Sequence, residues 1–142
     1  MSNLLTQWRQ EVTWQLEREL QGGSFTVVAG ERDGPSRDRK LACVYAPTIR
    51  SDTDVNFARP VLIVRAWIPK PKTPRETDPP DPEPLEQLML DVQEALQPIQ
   101  VLPNVGSGGL YFFVTQVRPD YEDWGVEVTL TGWTHNPATI AA

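Results

Sequence analysis

The sequence predicts an α+β fold. The expected form is a two-layer sandwich with a mostly antiparallel or mixed β-sheet, covered on one face by two amphipathic helices. The order is α-β-β-β-α-β-β, and a proline-rich arm spans residues 69–84. Three observations lead there. Two segments repeat apolar residues at helical spacing, several short segments are β-branched or alternate, and the helical and extended segments do not alternate one for one. With 142 residues the chain is one domain, 1–142, long enough to bury a core without staples.

Residues 3 to 20 read as the first helix. Leu5, Trp8, Val12, Leu16 and Leu20 form its apolar stripe, Ser2 or Asn3 can cap it, and Gly22-Gly23 can end it. Trp14 falls off that stripe, so it either folds over the core edge or meets a partner. Phe25 to Val28 and Leu41 to Ala46 read as strands, separated by a loop rich in Gly, Pro and mixed charge. The stretch from Pro47 to Arg59 reads as another loop. The strongest strand is Val61 to Ile68. Leu62, Val64, Ala66 and Ile68 form one apolar face, while Val61, Ile63 and Trp67 share the other with Arg65. Apolar residues on both faces indicate a central strand, or one whose second face is covered by another subunit.

Seven of the sixteen residues from 69 to 84 are proline. Such a stretch resists helix and sheet and favours extended geometry, hence an arm. The second helix follows, from about Pro82 to Leu96. Asp81 is placed to cap it, Pro82 suits the first helical position, and Leu85, Leu88, Met89, Val92 and Leu96 make its stripe. Ile99 to Gly109 reads as a loop. Tyr111 to Arg118 and Trp124 to Trp133 read as a terminal hairpin, with Val126, Val128 and Leu130 buried and Glu127, Thr129 and Thr131 outward.

Composition excludes several function classes. Net charge is −6, and the seven acids from Glu76 to Glu94 are uninterrupted by Lys or Arg. A surface that grips DNA needs clustered cations, whereas an acidic surface suits a conduit that DNA passes without sticking. The start of the chain has neither the basic nor the apolar region of a leader, and no apolar run is long enough to span a membrane. Synthesis and residence in the cytoplasm are therefore expected.

No enzyme motif stands out, so a non-enzymatic role with no cofactor or metal is expected. One cysteine, Cys43, lies in an apolar run and reads as a buried structural thiol, and the one histidine, His135, falls in the C-terminal tail. The acids Asp120, Glu122, Asp123 and Glu127 around the hairpin could hold a divalent cation, as in a small metal-dependent nuclease, but a solvated turn is the simpler reading. Gly106-Ser107-Gly108-Gly109 lacks the lysine and following helix of a phosphate loop. Arg32, Arg37, Arg39 and Lys40 are interleaved with acids, as in a solvated loop.

The order of elements, with the helix Leu85-Glu86-Gln87-Leu88-Met89-Leu90-Asp91-Val92 and the closing strand Gly125-Val126-Glu127-Val128-Thr129-Leu130-Thr131-Gly132-Trp133, resembles the tail terminator, or tail completion, proteins of long-tailed bacteriophages. The resemblance covers most of the chain apart from 69–84. It implies a structural virion protein, located at the head-proximal end of the tail and in the host cytoplasm during assembly. It implies a ring, usually a hexamer, that caps the tail tube, ends its growth and joins it to the head, with the tail tube protein and the head-tail connector protein as partners. DNA passes through the lumen without specific binding.

Such a ring needs two unlike patches per subunit. The residues expected to supply them are Trp14, Arg65, Trp67, Thr129 and Trp133, with Lys70, Lys72 and Arg75 of the arm. A monomeric adaptor that presents the proline-rich arm to a recognition domain is the remaining alternative.

Overall fold

The computed structural model describes residues 4–20, 25–29, 40–45, 47–50, 57–75, 77–96, 101–102 and 110–135. Their order is α1 (Leu4–Leu20), β1 (Phe25–Ala29), β2 (Lys40–Val44), β3 (Thr48–Arg50), β4 (Phe57–Trp67), α2 (Glu83–Leu96), β5 (Val101–Leu102), β6 (Leu110–Asp120) and β7 (Gly125–His135). The architecture is α+β, but the expected order α-β-β-β-α-β-β is overturned. Two further strands, β3 and β5, lie in segments that read as loops, giving a 7-stranded sheet among the described residues. Its hydrogen-bonded order is β1-β2-β4-β7-β6-β5, with β3 beside β4. β1 and β2 are parallel and the other pairs antiparallel.

The central strand also starts earlier than its sequence suggests. Pro60 lies inside β4, where a residue without an amide hydrogen argues against a strand. The ladder accommodates it. Phe57 and Ala58 pair with His135 and Thr134, and the register with β7 resumes at Val61↔Thr131. Across the interval β3 supplies the partner, with Ile49 opposite Pro60. His135, expected in a tail, is thus the last residue of β7.

The main core lies between the sheet and both helices. Trp8, Val12 and Leu16 of α1 and Leu85, Leu88 and Val92 of α2 are buried with Ala42, Val44, Leu62, Val64, Val126, Val128 and Leu130. Trp8 packs at a tilt on Phe112, with ring centroids 5.6 Å apart. Gly132 sits beneath this pair of elements. A Cβ there would stand 3.1 Å from both Leu110 and Pro60, closer than ordinary packing, and 3.4 Å from the Trp8 ring, so the bare position eases the fit of Leu110 and Pro60 in particular. Helix α2 begins as its sequence dictates. The Asp81 carboxylate accepts the Glu83 amide at 3.0 Å, and the Pro82 carbonyl accepts the amides of Leu85 and Glu86.

On the opposite face a smaller cluster forms at the β2–β4 side, where Leu41, Cys43 and Trp67 are buried with Val28 and Tyr45 against them. Cys43 is buried and is not part of a disulfide. Towards β7 and β6 that face carries exposed side chains, among them Tyr111, Phe113 and Arg118.

Candidate subunit interface

Strand alternation sends Leu62, Val64 and Ala66 of β4 into the helix-covered core and leaves Ile63 and Arg65 on the other face. The register then lines up charges across three strands. Arg65 pairs with Glu127 on β7, and Glu127 pairs with Arg118 on β6. The Glu127 carboxylate accepts from both guanidiniums, at 2.8 Å from Arg65 Nη2 and 2.9 Å from Arg118 Nη2. Arg65 also donates through Nε at 3.0 Å and stacks over the Tyr45 ring, 5.3 Å from its centroid. Burial works against the Arg65 charge, but the hydrogen bond and charge of Glu127, aided by Tyr45, outweigh it and hold its pKa above the usual arginine value. Two cations share one anion, so the triad by itself carries one more positive than negative charge, with Asp120 and Glu122 lining the same depression beside it.

Around this triad lies an open depression of about 380 Å³, whose lining includes Trp67, Tyr121 and Glu122. The hairpin tip closes one end. Asp120 accepts the amides of Glu122 and Asp123 at 3.0 and 3.1 Å, which fixes the turn. Trp124 takes a left-handed conformation with φ of 53°, rare for a bulky residue, and its side chain is buried in the main core. Along the strands from the triad, Thr115 bonds across to the Thr129 carbonyl at 3.2 Å and the Thr131 hydroxyl at 3.0 Å. Beyond them Phe113 and Tyr111 are 47% and 58% exposed, large apolar surface on an open sheet face.

These facts sort the residues expected at an interface. Arg65 and Thr129 lie on the open face, with Thr129 half-buried. Trp67 is on the same face but only 4% exposed, spent within its own subunit. Trp14 is 48% exposed on α1, so it does not fold over the core. Lys70, Lys72 and Arg75 are exposed on the arm. The Trp133 backbone pairs with Tyr111, and its side chain lies outside the described residues. So do the glycine cluster 106–109 and Arg32, Arg37 and Arg39. Lys40 opens β2 with its ammonium 5.6 Å from the Phe25 ring centroid.

Sequence reasoning passed over Arg118, Phe113, Tyr111 and the exposed Leu90 of α2. A usable signal existed. Tyr111 and Phe113 alternate around the buried Phe112, and antiparallel pairing through the turn puts Arg118 opposite Glu127.

Two of the four acids considered for a metal have other employment. Asp120 holds its own turn and Glu127 holds two guanidiniums. Among the described residues no group of three or more metal-ligating side chains converges. No described helix is long and apolar enough to cross a membrane. The chain matches no protein-family model and no curated protein.

Proposed function

We propose that the protein is a non-enzymatic assembly subunit that closes into a ring, in the manner of the tail terminators its sequence resembles. In this reading the ring, a hexamer by that resemblance, caps a phage tail tube and ends its growth. It joins the tail to the head connector while DNA crosses the lumen. The observation that carries it is the open β7–β6 face. Exposed aromatics and a three-strand charge ladder lie on a sheet face that neither described helix covers. The other layer of the subunit is chemically different, an acidic helix surface. A subunit with two unlike faces suits the heterologous contacts of a ring. The acidic balance, net −6, suits a lumen that DNA passes without adhering.

Native mass of the purified protein, alone and with tail tube protein, tests the reading, with negative-stain images to show closure. Rings, and tubes that stop lengthening when the protein is added, are the expected results. A protein that stays monomeric up to millimolar concentration with its tube partner present contradicts it.

A further inference from the structure

The open face has a complement on the same chain. In α2, Leu85, Leu88, Val92, Ala95 and Leu96 are buried. Glu83, Gln87, Leu90 and Glu94 follow at spacings of four, three and four, which places them on the outward side of the helix, and all are exposed. Glu86 flanks this ridge in the first turn. Leu90 is 60% exposed, the most exposed large hydrophobic residue of the described chain. The ridge thus offers two carboxylates at one end and an aliphatic side chain further along. The sheet offers two guanidiniums at one end and an aromatic ring further along.

The spacings agree. From Glu83 to Leu90 the helix rises about 10 Å at 1.5 Å per residue. From the Arg118 row to the Phe113 row, four residues of β7 advance about 13 Å at 3.3 Å per residue. Side chains of these lengths absorb the difference. Asp120 and Glu122 fringe the hairpin end of the depression, so an incoming acid meets the guanidiniums from the Phe113 side. Within their own subunit Glu83 and Glu86 make no ion pair with any described residue, and the sheet and the ridge lie on opposite sides of the molecule.

We propose that the outer ridge of α2 in one copy seats on the open sheet face of the next copy. Glu83 and Glu86 meet Arg65 and Arg118, and Leu90 meets Phe113. This rests on the ring reading and supplies its interface. The contact is heterologous, because each copy gives its ridge to one neighbour and its sheet to the other.

Charge reversal tests it. Arg118→Glu and Glu83→Lys each place like charges in contact and should raise the dissociation constant of the assembly at least about tenfold. A heterologous interface makes a sharper demand. The two variants, each dissociated alone, should reassemble when mixed, since the reversed sheet of one accepts the reversed ridge of the other and both unaltered patches also pair. Leu90→Asp, at an exposed position that leaves the fold alone, should dissociate the assembly and not be rescued. Thermal melts of every variant verify folding. If the wild type assembles and all three variants assemble equally well, this interface is wrong while the ring reading stands. Dissociated variants that fail to reassemble on mixing overturn the pairing of Arg118 with Glu83. A wild type that never self-associates, even with tail tube protein present, overturns both proposals.

Discussion

The indole of Trp67 lies across Gly125, its partner on the neighbouring strand. A Cβ at position 125 would stand 2.7 Å from the Ala66 carbonyl oxygen and 2.9 Å from Trp67 Nε1. Backbone on one side and a buried ring on the other leave nothing free to move. The bare position lets the ring lie flat and complete the small cluster with Leu41 and Cys43. Gly125→Ala should therefore destabilise the protein by about 1–3 kcal/mol through overpacking. Urea denaturation measures it, and an unchanged midpoint would mean that the ring moves aside easily.

The neighbouring position shows why part of this fold escapes a sequence reading. In Tyr121-Glu122-Asp123-Trp124-Gly125, the glycine is the natural choice for a left-handed residue, yet Trp124 takes that conformation. Tertiary packing decides it: the Trp124 side chain is buried, and its carbonyl accepts the Ile68 amide at 3.0 Å. β3 and β5 have three and two residues, too short for any periodicity to register. Pro60 hides the start of β4 because its tolerance depends on where the neighbouring ladders run. By contrast α2 was legible to its cap, since Asp81, Pro82 and the apolar stripe all act locally. The charge triad needed two registers: the hairpin joins Arg118 to Glu127, nine positions on, and the β4–β7 pairing unites Arg65 with Glu127, 62 positions apart in the chain.

Leu88 gives a direct measure of the main core. It is buried on α2 among the residues that cover β7. Leu88→Ala should cost about 2–5 kcal/mol, as for other buried leucines. A loss below about half a kilocalorie would mean that the stripe faces something softer than the sheet.

Glu127 should matter less to folding than its geometry suggests. Both its guanidinium partners are substantially exposed, so water already serves them well. Glu127→Gln should cost only about 0–1 kcal/mol, with the loss shrinking at high salt. The same change should alter assembly, because it releases two cations on the open face. A loss several times larger at all salt concentrations would show that the triad organises the sheet rather than its surface.

The proline-rich segment calls for a different experiment. Its composition leads to the expectation of an arm reaching outward to a neighbour, and the structure refines that. Pro69, Pro71 and Thr73 are half-buried while Lys70 and Lys72 are exposed, so one edge of the segment rests on the body and its cations face out. At the far end the Arg75 carbonyl accepts the Thr73 hydroxyl at 2.6 Å and the Asp78 amide at 3.0 Å, which fixes a local turn. None of these residues belongs to either buried cluster. Replacing residues 70–80 by a short Gly-Ser link should therefore leave the fold cooperative. The stability cost should be about 1 kcal/mol, mainly from the greater freedom of the unfolded chain once the prolines are gone. Assembly should suffer more, because Lys70, Lys72 and Arg75 form an outward cationic row on a chain that is otherwise acidic. Sedimentation of the shortened protein separates the two effects. Full-strength assembly would assign the segment a spacer's role between β4 and α2, and unfolding would show that its half-buried edge matters more to the core than its composition allows.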